Sequence, residues 1–297
     1  GAKRVLVVTD QVVRKLKPAD EVISKLSSEF EVTVFDEVEP EPHIEVAERA
    51  AEVARREAPD LVVGIGGGSS LDIAKVSAAA VTNPEHPSEF VGREQIKKMR
   101  APLVLMPTTA GTGSEVTPYA VVSIGKAKKV VVSHYIVPDV AIVDPVMSST
   151  MPPRLTASTG ADALSHALEA MMSTLSSELS DALAIEAARL VFKSLRKACY
   201  YGDDLSARYD MALAATVAGF PLAWAGVVLA HSAGYTYSSD YKLPHGVACA
   251  IALPYVMEYN LPAASKHYAE IADYLGIEAE TQEEKAKALI EKIRRLE

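Results

Sequence analysis

Cysteine is scarce in this chain. The 297 residues hold two, Cys199 and Cys249, with no C-x-x-C pair. That excludes a disulfide framework and speaks against a structural zinc site built from thiolates. Free, buried thiols fit a reducing compartment, so a cytoplasmic location is expected. Positive charge is short as well: 30 Lys and Arg against 39 Asp and Glu leave a net charge of −9. A nucleic-acid partner needs clustered basic side chains on phosphates, so none is expected, and an anionic membrane surface is disfavoured for the same reason. No apolar run reaches the roughly 20 residues of a membrane helix, and the start carries no signal-peptide pattern. What remains is ordinary for a globular protein, with 49% hydrophobic and 23% charged residues, over a length that suits two domains. The chain opens at Gly1 onto a strand-like run and stops at Glu297 inside a helical pattern. Truncated ends are therefore expected.

The first half alternates short β-branched runs with helical spacing. Strands are expected at 4–8, 31–35, 60–65, 102–106 and 140–143. Helices are expected over 18–28, 44–57 and from the glycine run to about Val81. This rhythm implies a parallel sheet covered on both faces. Residues 119–133 read as a hairpin turning at Gly125 and carrying Lys126, Lys128 and Lys129. From Pro153 the strand signals fade. Ala-rich periodic segments predict helices at about 154–173, 178–199, 205–226, 246–259, 265–275 and 281–296. The change of style within MSSTMPP separates an α/β domain, residues 1–149, from a helical domain, residues 150–297.

In parallel sheets ligands bind beyond the carboxyl ends of the strands, and three features fall there. GIGGGSSLDIAK, residues 64–75, sets consecutive glycines between a strand and a helix. Bare backbone N–H groups at the positive end of a helix suit a pyrophosphate. A tight turn is the plain alternative, but it needs fewer glycines. The spacing is not G-x-G-x-x-G, because Ser69 stands where the last glycine would be. Asp10 ends the first strand. A carboxylate there accepts ribose hydroxyls and repels a 2′-phosphate, favouring NAD over NADP; a helix-capping aspartate is the alternative. PTTAGTGSEVTPYAV, residues 107–121, offers small hydroxyls and glycines to wrap a nucleotide, and it is long for an idle loop.

The second half carries a different chemistry. GADALSHALEA, residues 160–170, puts Asp162 and His166 four residues apart, on one face of a helix. A carboxylate and an imidazole so placed can grip one divalent metal. His231, after AGVVLA, and His245, in LPHGV, complete one carboxylate and three imidazoles. That set makes a four-ligand shell for Fe²⁺ or Zn²⁺ with a position left for substrate. Singly, each of these residues reads as ordinary; the set carries the inference. His43, His86, His134 and His267 have no comparable context.

GGGSSLDIAK, PTTAGTGSEVT, PDVAIVDP, MPPRLTASTGADALSHALEA and LPHGVACAIALPYVMEYN occur in that order. Together they resemble the motifs of the iron-containing (group III) alcohol dehydrogenases, over essentially the whole chain. The resemblance implies a Rossmann-like parallel-sheet domain followed by an all-helical domain, the dehydroquinate synthase-like superfold. It implies Asp162, His166, His231 and His245 as ligands of Fe²⁺, with Zn²⁺ the alternative. It implies Gly67, Gly68 and Ser69 as the pyrophosphate loop and Asp72 as the acidic residue of that motif. Thr108, Thr109 and Thr117 match the nucleotide-contacting stretch, Lys129 a lysine that approaches the cofactor, and Asp10 the residue of members preferring NAD.

The implied reaction passes hydride between the carbon of a small alcohol or aldehyde and C4 of the nicotinamide, the metal serving as Lewis acid, in a homodimer. Three departures stand out. Tyr235 occupies the place of a histidine credited with proton movement, so an alkaline optimum for alcohol oxidation is expected. Glu41 replaces an asparagine. An amino-terminal strand pair and carboxyl-terminal helices of the family are expected to be absent from this stretch. Trp224, Phe220 and Tyr235 come without an arginine, which suits a small uncharged substrate. The rival readings are a zinc polyol dehydrogenase of the glycerol type and a nucleotide-binding paralogue without catalysis. A dehydroquinate synthase is disfavoured, because only Lys242 lies near the late histidines.

Overall fold

RVLVV points Val5 and Val7 to one side of a strand and Leu6 and Val8 to the other, and all four are buried. A strand apolar on both sides belongs in the middle of a sheet covered on both faces. The computed structural model, which describes residues 1–296, places it so. Its strands in chain order are β1 (Arg4–Val8), β2 (Glu31–Phe35), β3 (Leu61–Gly66), β4 (Gly92–Arg93), β5 (Leu103–Pro107), β6 (Tyr119–Ile124), β7 (Ala127–Val132) and β8 (Val140–Ala141). Between them run α1 (Lys17–Glu29), α2 (Ile44–Glu57) and α3 (Gly68–Thr82).

The main sheet is parallel throughout, in the order β2-β1-β3-β5-β8. Val5, Val7, Val63 and Ile65 pack with Ala19 and Ile23 of α1. Leu6, Val8, Val62 and Leu103 pack with the buried alanines of α2 and α3 on the other face. Because β1, β3 and β5 are neighbours, Asp10, the glycine turn and Thr108 come off adjacent strand ends. The hairpin forms as expected, and β7 also pairs with β4 to make a small second sheet. β4 has no counterpart among the expected strands; it is two residues long and borrows its order from β7. β8 is shorter than the expected 140–143.

The helical portion holds α4 (Pro153–Met172), α5 (Glu178–Tyr200), α6 (Leu205–Ala225), α7 (Leu229–Tyr241), α8 (His245–Tyr274) and α9 (Gln282–Arg294). By contacts the chain forms two compact units: Gly1–Thr109 with Ser114–Thr150, and Ala110–Gly113 with the chain from Met151 onward. Leu164, Leu168, Leu190, Met211, Leu253 and Ile271 form one core in the second unit. Gly160 lets α4 approach its neighbours: a Cβ there would stand 2.3 Å from Leu195 Cδ1.

Two helix expectations need correction. The pair 246–259 and 265–275 is one continuous helix, α8, running through Pro254 and Pro262. A proline inside a helix costs about 3 kcal/mol. Flanking side chains such as Leu253, Met257, Tyr268 and Ile271 are almost fully buried, at about 1.5–3 kcal/mol each, so packing outweighs the break. The second correction is α7, whose LAHSAGYTYSSDY is rich in poor helix formers and was not expected. Its support comes from α4, as described below. Among the described residues no single helix is long and apolar enough to cross a membrane. The pair α6 and α7, bent by 108°, passes that test by length and composition only, and α6 buries Met211, Ala214 and Ala218 in the core.

Candidate metal centre

Asp162, His166 and Glu169 follow one another at i, i+4 and i+7, which aligns them on one face of α4. All three are buried. Asp162 Oδ1 is the point of convergence. It lies 3.9 Å from His166 Nε2, 3.6 Å from His231 Nε2 and 3.9 Å from His245 Nε2. Those separations are too long for hydrogen bonds. The rings gather round it: His166 stacks on His231 with centroids 4.7 Å apart, and His231 meets His245 edge-on at 5.3 Å. Asp162 Oδ1, His166 Nδ1 and His231 Nε2 are buried without a hydrogen-bond partner. Unpaired buried polar atoms are costly and rare, and two of these, Asp162 Oδ1 and His231 Nε2, face each other at 3.6 Å. One anion and several imidazole nitrogens facing a common point fit a divalent cation.

The charges are set in the same way. Burial pushes Asp162 up, but the imidazoles, His166 foremost, outweigh it and hold its carboxyl below the ordinary range. Burial drives His166 down to about 4 against the pull of Asp162, leaving it neutral and able to donate a lone pair. Burial also opposes charge on His231, yet Asp162, Cys249 and Glu169 raise it well above an ordinary imidazole. A cation held here would need this imidazole neutral, so its binding would be linked to proton release.

Glu169 is the residue that sequence reasoning missed. It is fully buried. Its Oε2 binds His231 Nδ1 in a very short contact. Its Oε1 accepts the backbone N–H of Val228 and Ala230 at 2.9 Å and of His231 at 3.3 Å. One carboxylate thus caps the first turn of α7 and orients the imidazole that α7 carries. This explains how a weak helix forms at this point. The signal was present in HALEA, on the same helical face as Asp162 and His166.

His245 opens α8, and Gly246 follows it because nothing larger fits. A Cβ on Gly246 would fall 1.9 Å from the carbonyl oxygen of Ser158. Backbone cannot give way as a side-chain tip does. Gly246→Ala is expected to push the start of α8 off α4, costing roughly 1–3 kcal/mol and lowering metal content, as read by thermal melting and metal analysis. Native metal content and stability in that variant would refute this packing role. Tyr235, one turn after His231 on α7, stacks on His245 with centroids 5.3 Å apart. Cys249, one turn after His245, places its sulfur 3.7 Å from His245 Nε2.

In the first unit β3 ends at Gly66, with φ 157°, where a Cβ would stand 2.5 Å from Ser70. Gly67 caps α3 and Gly68 begins it, so the glycine run leads into a helix amino terminus. A Cβ on Gly67 would stand 3.3 Å from Thr109 Cγ2, and the Thr108 N–H bonds the Gly66 carbonyl at 2.9 Å. The Ser69 hydroxyl accepts the Glu41 N–H at 3.3 Å, and Glu41 pairs with Lys128 at 2.7 Å. Lys128 therefore faces this loop. Lys129, the next residue of β7, is exposed and points the other way. Asp10 Oδ1 accepts the N–H groups of Val12 and Val13, so it does cap a turn. Asp72 accepts from Ser114 at 2.6 Å and Val121 at 2.9 Å, and Thr117 meets Lys75. Both tie the threonine stretch to α3.

A parallel-sheet unit with a glycine-led helix start, followed by a helical unit that converges a carboxylate and three imidazoles, defines a metal-dependent oxidoreductase. Comparison with known proteins makes the class definite. Residues 1–145 match the iron-containing alcohol dehydrogenase family model and residues 156–297 its carboxyl-terminal domain model. The chain belongs to the iron-containing alcohol dehydrogenase family. It is 43% identical over 280 residues to long-chain-alcohol dehydrogenase 1 of Geobacillus thermodenitrificans strain NG80-2, covering 93% of this chain and 71% of that protein. It is 37% identical to the NAD-dependent methanol dehydrogenase of Bacillus methanolicus, covering 93% and 73%. The crystal structure of a 1,3-propanediol oxidoreductase superposes with a TM-score of 0.95 at 38% identity, over 100% of this chain and 79% of that one.

Proposed function

We propose that this protein oxidises a small uncharged alcohol with NAD⁺ and reduces the corresponding aldehyde or ketone with NADH. The observation that carries the reading is the convergence of three imidazoles on the unpaired Asp162 oxygen. Asp162, His166, His231 and His245 hold a divalent metal, Fe²⁺ or Zn²⁺. When bound, it supplies Lewis acidity to the substrate oxygen. Gly67, Gly68 and Ser69 present the amino terminus of α3 to the pyrophosphate, flanked by Thr108 and Thr109. Asp72 and Thr117 keep that loop in shape. Tyr235 moves the alcohol proton toward solvent from its place against His245. The protein acts as a homodimer in the cytoplasm.

The test is NADH formation from short alcohols, before and after chelation, in the wild type and in Tyr235→Phe. Activity lost on chelation, regained with Fe²⁺ or Zn²⁺ and slowed in the variant is expected. Unchanged activity after complete metal removal would overturn the reading.

Asp10 sets the choice of dinucleotide. Its Oδ1 caps a turn, so Asp10→Asn retains an acceptor and removes only the charge. Two charges about 4 Å apart near a surface interact by several kcal/mol, and tenfold requires ~1.4 kcal/mol. The ratio of kcat/KM for NADP⁺ over NAD⁺ is therefore expected to rise at least about tenfold. An unaltered ratio would remove Asp10 from this role.

A further inference from the structure

Cys249 stands in an unusual place for a thiol that the sequence leaves as packing. Asp162, His231, His245 and Cys249 each offer one ligand atom, all within 4.8 Å of one another. Three of the six edges are close to those of a coordination sphere. Asp162 Oδ1 lies 3.6 Å from His231 Nε2 and 3.9 Å from His245 Nε2, and the Cys249 sulfur 3.7 Å from His245 Nε2. Four donors at 2.0–2.3 Å from one zinc ion stand roughly 3.3–3.8 Å apart at the corners of a tetrahedron. Two of the donors, Asp162 Oδ1 and His231 Nε2, are buried without a partner. The opposite helix makes room for the sulfur: a Cβ on Gly234 of α7 would stand 2.7 Å from Cys249 Sγ.

We propose that Cys249 is a further metal ligand, its sulfur binding the ion held by Asp162, His231 and His245. The proposal rests on the metal-centre reading above. As the metal–sulfur bond forms, the thiol proton leaves to solvent and no electrons are transferred. The consequence is a choice of metal. A soft sulfur donor favours thiophilic ions, so the site takes Zn²⁺ in preference to the harder ions that an all-oxygen-and-nitrogen shell would admit. His166 remains beside the cluster as the donor for a larger coordination number.

The experiment uses the metal-free full chain titrated with Co²⁺ as the probe. Visible ligand-field bands report that the ion has entered the protein's shell. An intense near-ultraviolet sulfur-to-cobalt charge-transfer band reports the thiolate. Both are expected in the wild type, saturating together at one ion per chain. Cys249→Ser is expected to lose the charge-transfer band and keep the ligand-field bands. Zinc-edge X-ray absorption on the wild type needs no variant, and a sulfur scatterer at ~2.3 Å is expected. Co²⁺ bound with ligand-field bands and no sulfur band, together with no sulfur at the zinc edge, would overturn the proposal and leave the metal centre standing. No Co²⁺ retained at all would overturn both.

Discussion

Asp162→Asn is expected to lose the bound metal and at least about a thousandfold in alcohol oxidation, about 4 kcal/mol of transition-state stabilisation. Asp162 is the anion of the cluster, and all three imidazoles face its Oδ1. Asparagine keeps the volume, so no cavity forms and Leu164 and Leu168 beside it on α4 keep their packing. What goes is the negative charge that makes a divalent cation preferable to a proton. The amide also offers its carbonyl or its NH₂ to the cluster, and the NH₂ repels a cation. The measurement is metal per chain and kcat/KM, with circular dichroism to show that the fold persists. Full metal content in Asp162→Asn would mean that the ion sits elsewhere.

The second large effect separates two duties of Glu169. In Glu169→Ala, three backbone N–H groups of α7 lose their acceptor and His231 loses its buried counter-charge. Breaking a buried charged pair from one side costs about 3–5 kcal/mol, so the protein is expected to unfold at markedly lower denaturant. Glu169→Gln behaves differently. Its carbonyl still accepts the N–H groups, but its NH₂ faces His231 Nδ1. The imidazole must then carry its proton on Nε2, the nitrogen directed at Asp162. Near-native stability with metal affinity weakened roughly 10–100-fold is expected. Equal destabilisation of both variants, with metal affinity intact in Glu169→Gln, would reduce Glu169 to a helix cap.

The fold class was legible because both halves obey simple periods. Short apolar runs rich in β-branched residues, such as VLVV within RVLVV, fit a strand buried on both sides in a covered parallel sheet, and LVVGIGGGSS announces a strand, a turn and a helix start. The sequence failed where order is borrowed. α7 has a weak helical composition and is held by Glu169 from another helix, which no local window shows. α8 runs through Pro254 and Pro262 because the side chains around them are buried, a tertiary effect that overrides propensity. The three histidines expected to bind metal lie around Asp162 Oδ1 at 3.6–3.9 Å, but the donors that all lie within 4.8 Å of one another are those of Asp162, His231, His245 and Cys249, without His166. Cys249 was set aside as a packing thiol because it stands alone in sequence. Its nearness to His245 is one helical turn, readable as i+4, but its nearness to Asp162 depends on α8 lying against α4. Lys128 and Lys129 are adjacent, and only the pleat of β7 decides which of them faces the glycine loop.

The central claim is that Asp162, His166, His231 and His245 enclose one catalytic metal. Anomalous X-ray diffraction at the iron and zinc edges, on crystals of protein purified without oxygen, tests it most directly. One peak is expected, at ~2.0–2.2 Å from the Asp162 carboxylate and the histidine nitrogens. An active protein with no peak there, or with its metal bound by other residues, would contradict the claim.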